Sequence, residues 1–323
     1  LLERSPRHEN AVLKTLSIAL LATGAASLLR LGVGEAGAFG AVPSAARRPY
    51  ARVVSAGLST DEIALALLEP RESTEPPRLI AVSMFADDEG VSNVTSEARG
   101  VPARVTASTE ALVALRPDVV LADPFTQLST DRLTAPLGIP VVRTKYPARL
   151  TDIAENILYV GEVLGADDRA QKVAAQFVAR TEAVRSRVHG LPTPRVLYYS
   201  RGFTSGSGTL ATDILACAGA RNAAAEAGII GLRAISVEEV LAMDPDVLVL
   251  GDYRADGGRR DISAKPESVH HPVWRSLRAV RGGHVIELPP RMLLSTSQHL
   301  ASGVEALAEA LHPEIAHMKA AGP

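Results

Sequence analysis

From Ser108 to Asp123 the chain reads STEALVALRPDVVLAD, and 128 residues further on, from Ser236 to Asp252, it reads SVEEVLAMDPDVLVLGD. In both copies a serine suits the N-cap of a helix, which puts Glu110 and Glu238 at the second helical position, near the positive end of the helix dipole. In the second copy Glu239 completes a Ser-x-x-Glu capping box. Pro117 and Pro245 forbid the helix to continue, and Asp-Val then opens a strand. A helix-to-strand connection written twice implies two similar lobes.

Other apolar runs extend this reading. RVVSAG at Arg52, RLIAVS at Arg78, DVVLAD at Asp118 and PVVRT at Pro140 are rich in Val, Leu and Ile without strict alternation. Such runs, separated by helical patterns such as Asp61 to Leu68, suit strands of a parallel sheet covered on both faces. RVLYYS at Arg195, DVLVLGD at Asp246 and HVIEL at His284 form a second set. Between the sets lies one long helical stretch: TDIAENILYVGEVLG, capped by Thr151 or Asp152, pauses at Gly165 and resumes until Gly190. Residues 167 to 189 give a helix of roughly 34 Å at ~1.5 Å per residue, with Val173, Phe177, Val178, Val184 and Val188 as its apolar stripe. The expectation is an α/β protein: two Rossmann-like lobes with mainly parallel sheets, at 50–148 and 194–315, joined by helices over 149–190.

At 323 residues, 46% hydrophobic and 22% charged, the chain is long enough for about two domains. A net charge of −2 without a basic cluster argues against nucleic-acid binding. The single cysteine, Cys217 in ATDILACAGA, reads as a small buried residue and excludes an internal disulfide. Over residues 1–38, Arg4, Arg7 and Lys14 precede the apolar run TLSIALLATGAASLL and then Ala36-Gly37-Ala38. That is the order of a secretory signal peptide, and the run is shorter than the ~20 residues of a membrane-spanning helix. Export to the periplasm is expected, and with no cysteine after the run a lipid anchor is not.

The pieces RVVSAGLSTDEIALAL, STEALVALRPDVVLA, TDIAENILYVGEVLGADDRAQKVAA, GSGTLATDILACAGARNAAAE and SVEEVLAMDPDVLVLG occur in an order and spacing that resembles a class III periplasmic substrate-binding protein of ABC importers. That group includes cobalamin, ferric-siderophore and haem binders, and the likeness runs from about Arg52 to Pro313. It implies a monomer that presents its ligand to an inner-membrane permease. It also implies that one exposed glutamate per lobe, Glu110 and Glu238, docks onto permease arginines. The bland alternative for both glutamates is simple helix-dipole stabilisation, worth ~0.3–1 kcal/mol each.

Open α/β sheets bind ligands outside the carboxyl ends of their strands. The loops there carry Ser59 and Thr60, Phe85 and Asp87, Phe125, and Tyr146 in the first lobe, then Arg201, Phe203 and Thr204, Tyr253, and Arg291 in the second. With only five Phe, six Tyr and one Trp in the chain, aromatics beyond so many strand ends suit a large planar or macrocyclic ligand. No histidine lies between residues 9 and 188. Bare zinc prefers a fixed shell of Cys and His, and relatives that bind bare zinc or manganese usually draw histidines from the first lobe. The expected ligand is therefore a metal already wrapped in an organic molecule, with no resident cofactor and no protein metal site. Haem could take Tyr146, Tyr253 or His299 as axial ligand, an anionic ferric siderophore would suit Arg201 and Arg291, and cobalamin would suit an apolar cleft. The resemblance favours cobalamin or a siderophore, and these residues do not choose between them.

Two other functions fit less of the chain. The Gly-rich turn of SRGFTSGSGTLATD could cradle a phosphate in a nucleotide-dependent enzyme. It matches neither G-x-G-x-x-G, nor a P-loop, nor a G-x-S-x-G elbow, however. A ligand sensor serving a receptor would keep the same cleft. The only Trp, Trp274, reads as packing near the base of the second lobe.

Overall fold

The computed structural model describes residues 50–68, 78–105, 112, 114–126, 138–200, 202–251 and 272–315. The leader segment, Glu110, Arg201 and Tyr253 lie outside them.

In the N-terminal lobe, β1 (Val53–Ser55), β2 (Leu79–Ser83), β3 (Ala103–Val105), β4 (Val119–Ala122) and β5 (Val141–Arg143) form one sheet in the order β3-β2-β1-β4-β5. All its pairings are parallel. Every residue of β1, β2 and β4 is buried, which is why these runs read as continuous apolar stretches. Helix α1 (Leu58–Leu67) follows β1, and the short α2 (Thr95–Ala98) precedes β3.

Two helices then leave the lobe. α3 (Leu150–Leu164) ends at Gly165, whose φ of 61° is the left-handed geometry glycine adopts freely. α4 (Asp167–Val188) has 22 residues, about 33 Å at ~1.5 Å per residue. Its buried stripe is Ala170, Ala174, Phe177, Thr181, Val184 and Val188. Val178, expected in that stripe, is 41% exposed instead, because at 3.6 residues per turn it stands about 100° past Phe177, off the buried line; small residues let α4 approach α3 closely. A Cβ on Gly161 would stand 2.2 Å from that of Ala170. The start of α3 also differs from expectation. The helix opens one residue before Thr151, and Asp152 serves at its third position, accepting hydrogen bonds from the Ala148 and Arg149 amides at 2.9 Å each.

The C-terminal lobe is built from β6 (Arg195–Tyr199), β7 (Phe203–Ser205), α5 (Leu210–Cys217), β8 (Arg221–Asn222), α6 (Ala223–Glu226), β9 (Leu232–Ala234), α7 (Val237–Met243), β10 (Val247–Leu250), α8 (Arg278–Arg281), β11 (Val285–Glu287), α9 (Pro290–Leu294) and α10 (Leu300–Leu311). Its parallel sheet runs β11-β10-β6-β8, while β7 and β9 form a separate antiparallel ribbon. One apolar cluster runs without a break from Val53 and Leu121 through Ile157, Val160 and Phe177 to Val196, Val249, Val304 and Leu307. The two sheets therefore share a core with the helices between them.

From the helix ends onward, the doubled sequence is a doubled structural unit. Arg116 and Asp244, the residues before the two prolines, both have positive φ, 45° and 35°. The amides of Asp118 and Asp246 donate to the carbonyls of Arg52 and Arg195, at 2.8 and 2.9 Å. The Arg52 guanidinium donates to the carbonyls of Leu115 and Arg116, and that of Arg195 to those of Met243 and Asp244. In each lobe, an arginine at the amino end of the first strand ties off the helix end and sets it beside the strand that follows.

Candidate functional site

Strand order reverses direction between β1 and β4 in the first sheet and between β6 and β10 in the second. Loops at the carboxyl ends of those strands diverge there and leave a crevice. Of the expected site residues, Phe125 follows β4 at that point, and Ser59 and Thr60 follow β1.

On the N-terminal side, Ser59 and Thr60 fall inside the first turn of α1 rather than in a preceding loop, because Gly57 is the N-cap. Both are buried. The Thr60 hydroxyl is engaged by the Gly57 carbonyl at 2.9 Å and by Ser55 Oγ at 2.8 Å, and Ser59 Oγ reaches Asp123 Oδ2 at 3.4 Å. Phe85 sits in a single 3-10 turn over Met84–Asp87, half-buried, with its amide donating to Ser83 Oγ. Asp87 is exposed and forms a two-point pair with Arg104, at 2.7 and 2.9 Å, which holds its carboxyl below the usual range. Phe125 and Tyr146 are brought together: their rings meet edge to face with centroids 5.6 Å apart, and Tyr146 remains 48% exposed.

Beneath these loops lie two carboxyl groups that the sequence reading did not single out. Asp61 and Asp123 are both buried, Asp61 completely. Asp61 accepts the Ser83 amide at 3.0 Å and the Ser83 hydroxyl at 2.5 Å. Burial nevertheless dominates those bonds and, with a smaller push from Asp123, raises Asp61 to about 8. Asp123 accepts the Phe125 amide and the Thr126 hydroxyl at 3.0 Å each, and burial raises its carboxyl too. A Cβ on Gly57 would stand 2.3 Å from Asp123 Oδ2, so only glycine fits there. The signal available in sequence was the aspartate closing LAD, immediately after a buried strand.

On the C-terminal side, Phe203 is half-buried on β7, paired across the ribbon with Ala234. Thr204 is buried, and its hydroxyl donates to the Tyr198 carbonyl at 2.7 Å. Arg291 is the second residue of α9 and faces the other lobe: its amide donates to the Gly90 carbonyl at 3.1 Å and its guanidinium reaches the Glu89 carbonyl at 3.5 Å. In the Gly-rich turn, the amides of Gly206 and Ser207 are engaged by the carbonyls of Gly231 and Ile229, at 2.8 and 2.9 Å. A Cβ on Gly206 would overlap the Ile229 carbonyl at 2.0 Å. This glycine serves packing within the ribbon, and those two amides do not face a phosphate.

Elsewhere on the C-terminal lobe, Ser236 caps α7 with the expected capping box. Its hydroxyl accepts the Glu239 amide at 3.2 Å, and the Glu239 carboxylate accepts the Ser236 amide at 2.9 Å. Glu239 also pairs with Arg233 at 2.7 Å. Glu238, one residue earlier, is fully exposed, and its own amide and the Ser236 hydroxyl lower its carboxyl. Trp274 is buried against Tyr199, with ring centroids 4.9 Å apart. It therefore lies by the carboxyl end of β6 rather than at the base of the lobe. His299 is the N-cap of α10 and is partly buried. The Cys217 thiol is pushed up to about 11 by burial, which makes it unreactive. A groove of about 490 Å³, lined by Arg195, Glu226, Ile229, Arg233, Glu239 and Met243, opens beside the amino end of β6, away from the crevice. Among the described residues no group of three or more His, Cys, Asp or Glu could hold a metal ion, and no helix is long and apolar enough to cross a membrane.

Known proteins share this fold. A cobalamin-binding protein of Halobacterium salinarum is 26% identical over 207 residues, covering 63% of this chain and 55% of that protein, so the match spans little more than half the relative's length. The periplasmic haem-binding protein RhuT of Roseiflexus sp. RS-1, solved in apo form, superposes with a TM-score of 0.67 at 25% identity, over 82% of this chain and 98% of its own. An ABC-type Fe3+-hydroxamate transport protein of Saccharomonospora viridis shares the fold, with a TM-score of 0.64 at 21% identity over 82% and 94% of the two chains. The family model described as periplasmic binding protein matches residues 53–292, and this chain belongs to that family.

Proposed function

We propose that this protein is the substrate-binding subunit of an ABC importer, which takes up a metal chelate of the cobalamin, ferric-siderophore or haem class in the periplasm and delivers it to an inner-membrane permease. The observation that carries this reading is the pairing of Phe125 with Tyr146, the latter half exposed, at neighbouring strand ends beside the β1/β4 switch point. Flat apolar side chains on such a rim suit a macrocycle or a ring-rich chelator. The family and the names of the relatives support the same ligand class, and among them cobalamin, haem and a hydroxamate complex all occur.

Glu238, exposed and free of the capping duty that occupies Glu239, is suited to meet a cationic partner. With Glu110 it forms the proposed permease contact. The shared core suits a small closure between lobes on binding. Engagement of the Gly206 and Ser207 amides weakens the nucleotide-enzyme reading. Purified protein should hydrolyse neither ATP nor a simple aryl ester above the buffer rate, while retaining a cobalamin, haem or ferric hydroxamate through gel filtration. Turnover without retention of any chelate would overturn the proposal.

A further inference from the structure

Glu62, on α1 of the N-terminal lobe, has no exposed surface. Its Oε1 accepts the amide and the side-chain nitrogen of Asn93, at 2.9 Å each. Its Oε2 accepts the hydroxyls of Ser295 at 2.6 Å and Ser297 at 2.5 Å. Both serines are themselves buried, and they stand between α9 and α10, in the C-terminal lobe. More bonds cross at the same place. Gln298 Nε2 donates to the Glu62 carbonyl at 2.9 Å, Asn93 Nδ2 to the Arg291 carbonyl at 3.0 Å, and the Arg291 amide to the Gly90 carbonyl at 3.1 Å.

A buried carboxylate with four donors is held by charge-assisted hydrogen bonds. Removing two of those donors while it stays buried leaves charge uncompensated, which is strongly unfavourable. The segments joined here, 88–93 and 291–298, both lie just beyond strand ends, β2 in one lobe and β11 in the other. One segment belongs to each lobe, and the bonds between them form a connection separate from α3 and α4.

We propose that Glu62 is a positioning residue, a buried joint that pins these two segments together and so sets the opening of the cleft. The meaning of that opening for ligand capture rests on the function proposed above, but the joint itself can be read without any ligand. A cleft held at one width loses less freedom on binding, and so binds more tightly, than one that must first be ordered.

The test is a distance measurement between spin labels in the ligand-free protein. Arg99→Cys and Ala242→Cys provide exposed attachment points, one in each lobe, and native Cys217 is buried and stays unlabelled. The parent should give one narrow distance population. Glu62→Ala, and the double change Ser295→Ala with Ser297→Ala, should each give a population at least about twice as broad, because the lobes then sample open arrangements. Glu62→Gln should stay narrow: its amide oxygen can accept from Asn93 while its nitrogen donates to the two serine hydroxyls, which rotate to accept. If Glu62→Ala does not fold, the serine pair decides, since it leaves every bond within the N-terminal lobe intact. Parental width in the folded alanine variants, a glutamine variant as broad as alanine, or failure of the serine pair to fold would each overturn the joint. Failure of every chelate to bind would overturn the function and leave this measurement standing.

Discussion

Phe125 and Tyr146 meet edge to face at 5.6 Å, one beyond β4 and the other beyond β5. Adjacent parallel strands bring their loops side by side, so two rings 21 positions apart in sequence become one aromatic surface. If that surface meets a chelate, Phe125→Ala and Tyr146→Ala should each weaken its binding roughly tenfold, about 1.4 kcal/mol, by calorimetric titration. Tyr146→Phe should bind like the parent, since it keeps the ring. A large loss confined to haem in that variant would instead identify the phenol as an iron ligand.

Neighbouring glutamates on α7 divide their work. Glu239 closes the capping box and pairs with Arg233, while Glu238 faces solvent. Reversing charge at both proposed docking positions, Glu110→Arg with Glu238→Arg, should reduce uptake through the reconstituted permease at least ~10-fold while leaving chelate affinity within about twofold. Ser236→Ala, by contrast, should cost about 1 kcal/mol of stability in denaturant titration and leave uptake intact. Undiminished uptake by the double reversal would make the glutamates helix-dipole partners only.

Asp61 gives the fold a pH signature of definite sign. Its folded pKa, pushed up to about 8, lies above the ordinary carboxyl value of 3.8, so the folded state holds a proton that the unfolded state releases. The stability this provides is fully present below about pH 4 and is lost as pH rises toward 8, at no more than ~1.4 kcal/mol per pH unit. Asp123, also raised by burial, adds to the same trend. Asp61→Asn mimics the protonated acid. In urea titrations it should be close to the parent at pH 4 and more stable than the parent at pH 8. An equal difference at both pH values would contradict this.

The two helix ends before proline offer a paired test. Arg116 and Asp244 share positive φ, but Asp244 also accepts the Arg278 amide at 2.8 Å through its side chain. Arg116→Gly should relieve backbone strain and stabilise by about 0.5–1 kcal/mol. Asp244→Gly should relieve the same strain yet lose the Arg278 bonds, so its net gain should be smaller or reversed. Equal effects at the two positions would show that the side-chain bond contributes nothing.

The parts of the fold legible in sequence are those decided locally. Val119–Ala122 and Val247–Leu250 are apolar throughout because both faces of their sheets are covered, and the proline after each preceding helix marks the boundary. Asp152 is open to misreading because an aspartate suits both the cap and the third position of a helix, and only the partner amides distinguish them. Aromatics beyond strand ends are legible at Phe85, Phe125 and Tyr146. The burial of Asp61, Glu62 and Asp123 is not. Acidic residues in STDEIALAL read as an ordinary solvated helix start, and what covers Glu62 comes from serines 233 and 235 positions away. Thr60 and Thr204 are buried, and each hydroxyl is engaged by nearby backbone, three and six positions back in the chain.

The most direct measurement is a thermal melt of the purified protein titrated with cobalamin, haem and ferric hydroxamate siderophores. At a concentration ~100 times its dissociation constant, one of these chelates should stabilise the fold by ~2.7 kcal/mol and raise the midpoint by a few degrees, with Phe125→Ala blunting the rise. A cooperative melt that none of the chelates moves, even at millimolar concentration, would contradict a chelate-binding cleft.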